Sequence, residues 1–301
     1  MSSQRFYAHG KLMLTGEYAV LDGAKALAFP TRFGQSLEVS NANNSPHPIT
    51  WQSFDFQGNV WMNAHLPSND YALKEYVRLQ EILRAVEALN SDVFFEQNLA
   101  FTTILEFPQK WGLGSSSTLI SLLAQWASID PFELLDKTFG GSGYDIACAI
   151  SDGPIVYQNF GKQKDVKRVE LSMAWTRGAF FVYLNQKKNS REAIKHYKSL
   201  SNTQSIVTEV NQLTDALVQT TSISEAMHII VEHENLMSAT LELENIQKSS
   251  FVDFKGVCKS LGAWGGDFML ALTAYDEDYV RDYFESKGFN TIFTYDKLLW
   301  K

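Results

Sequence analysis

Cysteine is scarce in this chain. Its 301 residues include two, far apart: Cys148 lies between two alanines and Cys258 follows Val257. Two such residues make neither a disulfide framework nor a zinc centre, so both are expected as reduced core thiols. Long apolar runs are also missing: no stretch reaches the roughly 18 residues a membrane helix needs. No cationic segment with an apolar one behind it opens the chain, which is the expectation of a cytoplasmic protein. Bases are outnumbered, with 26 Lys and Arg against 34 Asp and Glu, a net charge of -8. That balance argues against nucleic acid as a partner, although a local basic patch could still hold a phosphorylated ligand. Repeats and low-complexity segments are absent.

What is present suits a globular fold. Hydrophobic residues make up 45% and charged residues 20%, enough to build a core without disorder. The length fits two medium domains or one large one. Residues 36–39, 49–54 and 59–62 read as strands of a β-meander around the polar loop 40–48. Residues 71–89 carry apolar positions at helical spacing, and 99–107 read as a strand. Helices are expected at 116–129 and, with Pro131 in its first turn, at 131–139. Residues 178–184 form an apolar, β-rich run. Helices at 190–198, 206–218 and 223–244 follow, then strand, glycine turn, strand, helix and strand over 256–295. Helices on one face of an antiparallel sheet make an α+β domain.

The segment Gly112-Leu113-Gly114-Ser115-Ser116-Ser117 is the most informative. Two glycines let the backbone turn sharply and approach a ligand, and a strongly apolar helix follows. Serines can cap that helix, and its N-terminal N–H groups and dipole favour an anion. The pattern describes a phosphate cradle without the lysine of the G-x-x-x-x-G-K-[ST] loop. A plain serine-capped turn has the same composition.

Three further segments carry candidate chemistry. Lys11, on a strand running into Thr15-Gly16, offers a cation for an alkoxide or phosphate, and Glu17 an acceptor for a substrate hydroxyl. A surface lysine and a helix-start glutamate fit equally. Asp145, in Gly140-Gly141-Ser142-Gly143-Tyr144-Asp145-Ile146-Ala147, is a carboxylate held between glycines and small residues. It could take a proton from a hydroxyl, or cap a helix. Gly262-Ala263-Trp264-Gly265-Gly266-Asp267 is either a hairpin turn or a loop passing close to a ligand. The loop Lys187-Lys188-Asn189-Ser190-Arg191 could hold an anion or simply be solvated. His228, Glu232 and His233 fall near one helical face as a polar surface rather than a metal site.

The order and spacing of these segments resemble the three motifs of the GHMP kinase superfamily. The match runs from Ala8-His9-Gly10-Lys11 with Gly16-Glu17-Tyr18, through Pro108 and the glycine-serine turn, to Gly262–Asp267. Ser142-Gly143-Tyr144-Asp145 is most similar to mevalonate and phosphomevalonate kinases, and Gly143–Ala147 to the GYDIA branch. The resemblance implies a two-domain α+β fold. A ribosomal protein S5 domain 2-like N-terminal domain with the ATP phosphate loop would span 1–165, and a ferredoxin-like C-terminal domain 166–301. It implies ATP and Mg2+ as cofactors, a small-molecule substrate, a monomer or homodimer, and phosphorylation of a hydroxyl or phosphate acceptor. A sugar-type kinase, a diphosphomevalonate decarboxylase-like enzyme and a nucleotide-binding regulator without turnover are the alternatives.

The resemblance also implies roles. Gly112–Ser117 would hold the nucleotide, with Ser116 and Glu133 on the metal. Asp145 would be the catalytic base and Lys11 the cation beside it. Glu17, Tyr18, Gly262, Ala263, Gly265, Gly266 and Asp267 would lie on the substrate side, and Lys187, Lys188 and Arg191 would meet a phosphorylated acceptor. The chain departs from the family pattern at His9, where proline is usual, and at Trp264, where glycine is usual. Asp145 also follows Thr118 by only 27 positions, a short separation for a mevalonate kinase.

Overall fold

Two long strands open the chain, β1 (Gln4–Thr15) and β2 (Ala26–Asn41). The computed structural model describes residues 3–42, 45–67, 74–94, 98–161, 163–186, 190–200, 203–262, 264 and 267–300, with backbone alone at 190–194. After β2 come β3 (Ile49–Phe54), β4 (Val60–Leu66), α1 (Lys74–Leu89), β5 (Leu99–Leu105), α2 (Ser115–Ala127), α3 (Pro131–Thr138) and α4 (Tyr144–Ala149). Next are β6 (Ile155–Phe160), β7 (Gln163–Arg168), α5 (Met173–Thr176), β8 (Ala179–Tyr183), α6 (Ser190–Ser199), α7 (Gln204–Gln219) and α8 (Ile223–Leu241). The chain closes with α9 (Ile246–Ser250), β9 (Val257–Ser260), β10 (Phe268–Leu272), α10 (Glu277–Ser286), β11 (Ile292–Thr294) and α11 (Tyr295–Leu298).

The chain forms two compact units. One comprises Met1–Gly10, Phe33–Gln109 and Leu113–Ile150; the other comprises Lys11–Arg32, Lys110–Gly112 and Ser151–Lys301. A single cut at 165/166 draws the boundary differently. It assigns each of β1 and β2 to one side, whereas both run through two units. At about 3.3 Å per residue these strands are far longer than the usual five or six residues.

In the first unit the strand order is β4-β3-β5-β2. β3 and β4 form an antiparallel hairpin, but β3 runs parallel to β5, with Trp51 opposite Phe101. The expected meander is thus a hairpin followed by a crossover through α1. Burial alternates along β4, so Met62, Ala64 and Leu66 face inward. They join Leu83 and Val86 of α1 and Ile120 of α2 in one core. Each of the larger side chains among these contributes roughly 1.5–3 kcal/mol when fully buried.

In the second unit, the start of β2 pairs with β6, and β6 with β7. A separate antiparallel sheet has the order β11-β8-β10-β9. With α7 and α8 between β8 and β9, and α10 between β10 and β11, this is the split β-α-β arrangement of ferredoxin-like domains. The apolar run 178–184 is the central strand β8, buried along its whole length, as is β10. Such burial needs both faces covered, beyond the single face that sequence pattern suggested. Val280 and Phe284 of α10 cover one face. On the other, the Trp111 ring sits 5.8 Å from Phe268 and 5.4 Å from Phe293. Among the described residues no helix is long and apolar enough to cross a membrane.

Candidate active site

The first unit contains Leu113–Ser117 of the phosphate-loop candidate, and Gly112 belongs to the second. Gly114 is the N-cap of α2 in the left-handed region, at φ 90° and ψ 44°, and no side chain caps the first turn. The earliest backbone bond of the helix runs from the Thr118 N–H to the Gly114 carbonyl, at 3.0 Å. The N–H groups of Ser115, Ser116 and Ser117 precede it, so they are the donors an anion would meet. The serines are not the cap, contrary to expectation. Ser117 Oγ instead donates back to the Gly114 carbonyl at 2.8 Å. Ser116 is exposed, Ser115 half-buried and Leu113 buried. Beneath the turn, the buried Thr118 hydroxyl lies 2.6 Å from Gln35 Oε1 and 2.9 Å from the Ser115 carbonyl.

Asp145 sits in the first turn of α4, whose N-cap is Gly143 at φ 85°. It is half-buried, and its Oδ1 accepts the Ile146 N–H at 3.0 Å. α4 packs on α2. Ile146 and Ala149 share a core with Ile120 and Leu123, which fixes the aspartate to the helix that starts at the glycine-serine turn.

Glu133 does not join them. It is exposed in the first turn of α3, where Asp130 caps its N–H, just past the C-terminal end of α2. Ser116 is at the other end of that 13-residue helix, an axial separation of roughly 15 Å. The short link between α2 and α3 leaves no length for Glu133 to return. Among the described residues, no cluster of three or more His, Cys, Asp or Glu could hold a metal ion. The uncapped turn therefore fits the nucleotide phosphates, and the Glu133 assignment to Mg2+ does not fit.

The second unit holds the remaining candidates. Lys11 is half-buried on β1. Gly16 turns at φ +92°, and a Cβ there would lie 2.5 Å from the Lys25 carbonyl oxygen. Glu17, expected to accept a substrate hydroxyl, is instead 1% exposed and paired with the fully buried Lys259. Its other carboxylate oxygen is 3.6 Å from His233 Nε2. Burial pushes its pKa up against the pull of Lys259. Tyr18 is buried at φ 59°, its ring 6.3 Å from that of Tyr197.

Within this unit, Asp267 at the end of the loop after β9 lies against Gly112. A Cβ on Gly112, at φ +66°, would fall 1.8 Å from Asp267 Oδ2, so only glycine leaves room for that carboxylate. Tyr183 hydrogen-bonds the Lys110 carbonyl at 3.2 Å, and its pKa is raised by burial and by Asp267. Gly262 is in the left-handed region at φ +60°. Ala263, Gly265 and Gly266 lie outside the described residues, as do Lys187, Lys188 and the side chain of Arg191. Trp264 is core rather than a platform for a ligand: it is 1% exposed and packs with Tyr18 and Met237.

Sequence pattern missed the buried polar cluster around Glu17. His228 and Glu232 are an exposed pair at 3.2 Å, but His233 is fully buried. Its Nε2 accepts the Gly16 N–H at 3.2 Å. Burial and Lys259 hold its pKa well below the usual histidine value. Beside it, Glu234 accepts the Ser260 N–H at 3.1 Å and the Ser260 hydroxyl at 3.0 Å. Burial lifts its pKa to about 7, with Lys259 opposing. A signal was available. His233 is four residues after Ile229, Glu234 four after Ile230, and both isoleucines face the core.

No family model and no curated protein matches the chain. Solved structures do. The mevalonate kinase of Methanococcus jannaschii is 12% identical, with a TM-score of 0.71 over 97% of both chains. The Streptococcus pneumoniae phosphomevalonate kinase, in complex with phosphomevalonate and AMPPNP, is 19% identical. Its TM-score is 0.68 over 96% of this chain and 98% of that one. The Lactococcus lactis galactokinase, complexed with galactose, is 13% identical with a TM-score of 0.72 over 97% and 92%. The chain has the fold of these proteins along nearly its whole length, as its motif order implied.

Proposed function

We propose that this chain is an ATP-dependent kinase that transfers the γ-phosphoryl group to a small molecule's hydroxyl or phosphate. The observation that carries the proposal is the uncapped N-terminus of α2 behind Gly114, with Asp145 fixed to the same helix through α4. The three N–H groups of the turn would receive the nucleotide phosphates. Asp145 would accept the proton of the attacking hydroxyl as its oxygen bonds to phosphorus and the bond to ADP breaks. Lys11 would offset charge on the transferring group. Mg2+ bound to the nucleotide would neutralise charge on its phosphates, without a ligand from Glu133. The fold is shared with enzymes of mevalonate, phosphomevalonate and galactose, and the Ser142–Asp145 pattern favours a mevalonate-pathway intermediate as acceptor.

The test is ADP release with Mg-ATP across mevalonate, phosphomevalonate, homoserine and several sugars. Asp145→Asn should cut turnover by orders of magnitude and leave ATP affinity nearly intact; equal turnover would remove Asp145 as the base. Release of CO2 would identify the decarboxylase alternative. The displacement of Glu133 from the turn favours a second possibility, a nucleotide-binding protein without turnover. ATP binding by calorimetry with no ADP formed across the panel is its signature.

A further inference from the structure

We infer that His233 and Glu234 are positioning residues, a clamp on α8 that holds the Gly16 turn and the Ser260 strand end in one register. For its catalytic consequence the inference rests on the kinase proposal; for its structural consequence it does not.

Two neighbouring side chains on one helix each take a backbone N–H from a different segment. His233 Nε2 takes that of Gly16, and Glu234 Oε2 that of Ser260. Glu234 Oε1 also takes the Ser260 hydroxyl. The two segments are joined directly as well, since Lys259 donates to Glu17 and, at 2.9 Å, to the Ser260 carbonyl. All four ionisable side chains are at most 1% exposed.

Such a cluster is a poor device for stability. Desolvation of buried charges offsets most of their attraction, and apolar residues of similar volume often serve as well. One atom on each side is also left without a hydrogen bond, Glu17 Oε2 and His233 Nδ1. What the cluster does supply is direction. Hydrogen bonds with fixed donors allow one register between segments, whereas apolar contacts allow several.

The segments held this way are those that carry the candidate chemistry. Gly16 follows the strand of Lys11, and Ser260 leads into the Gly262–Asp267 loop. Each passes into a strained aromatic residue, Tyr18 at φ 59° and Trp264 at φ 59°. Non-glycine residues hold such angles only where the surroundings over-determine them. Both rings are buried in the same cluster. A histidine that accepts an N–H through Nε2 is neutral, and the adjacent Lys259 keeps it so.

The experiment compares wild type with His233→Ala, His233→Gln and Glu234→Gln. Amide hydrogen exchange is read over residues 13–21 and 257–262, alongside ATP affinity and acceptor kinetics. Exchange over 13–21 should rise at least tenfold in His233→Ala. Acceptor kcat/KM should fall at least tenfold with ATP affinity unchanged. His233→Gln, whose carbonyl can accept the same N–H, should restore both. Glu234→Gln keeps the volume and should fold even if His233→Ala does not; it should raise exchange over 257–262. Unchanged exchange in folded variants overturns the clamp. Faster exchange with unchanged acceptor kinetics overturns the positioning role. Absence of ADP formation by wild type with every acceptor would instead defeat the kinase proposal, and exchange alone would then decide the clamp.

Discussion

Single residues in this chain are decided by what surrounds them. Glu234 shows it most clearly, with a pKa near 7 caused first by burial. Its folded value lies above the unfolded one, so the folded state holds the proton more tightly. The stabilisation is complete below the unfolded pKa and is lost as pH rises through about 7, at most about 3 kcal/mol. Glu17 acts in the same direction. His233 opposes it, because its depressed pKa makes stability rise with pH up to its unfolded value. Lys259, Cys258 and the Ser260 hydroxyl complete the surroundings. The difference between wild type and Glu234→Gln in urea unfolding at pH 5 and pH 8 isolates this group. The variant should lose markedly less stability over that range; an identical loss would mean that Glu234 titrates normally. Gly16 is constrained sterically instead. Gly16→Ala places a Cβ 2.5 Å from a backbone oxygen at φ +92°. The expected cost is on the order of 2–4 kcal/mol in the same assay.

At the scale of elements, the helix starts matter most. α2 begins on a glycine because a left-handed turn leaves its first N–H groups unused, whereas α3 begins on Asp130, whose carboxylate accepts the Phe132 and Glu133 N–H groups. The first arrangement suits an anion, the second only stability. The turn before α2 is anchored by Thr118. Thr118→Val deletes the hydroxyl 2.6 Å from Gln35 Oε1 and leaves a buried acceptor without a donor. About 1–3 kcal/mol should be lost in chemical denaturation, and a loss under about 0.5 kcal/mol would show the acceptor satisfied elsewhere. Such start signals were legible in the sequence: Pro131 after Asp130, and Gly112 and Gly114 before an apolar helix. The pairing of β3 with β5 was not, since alternation reveals a strand but not its neighbour.

At the scale of the whole molecule, nucleotide binding should appear as stability. A ligand that binds only the folded chain at 100 times its Kd adds about 2.7 kcal/mol. Mg-ATP should therefore raise Tm by about 5 °C or more. No shift would remove the nucleotide from the proposal, whatever the acceptor. Sequence by itself determined the α+β class, the strand, turn, strand, helix and strand order of the closing section, and the glycine-serine turn ahead of an apolar helix. Those follow from periodicity and glycine placement, which act over a few residues. Only the tertiary structure decided that Glu17 pairs with Lys259, that Trp264 is core, and that Glu133 lies past the far end of α2. It also decided that His233 and Glu234 reach two separate segments. Burial and distance depend on which elements pack together, and a carboxylate's chemistry depends on both.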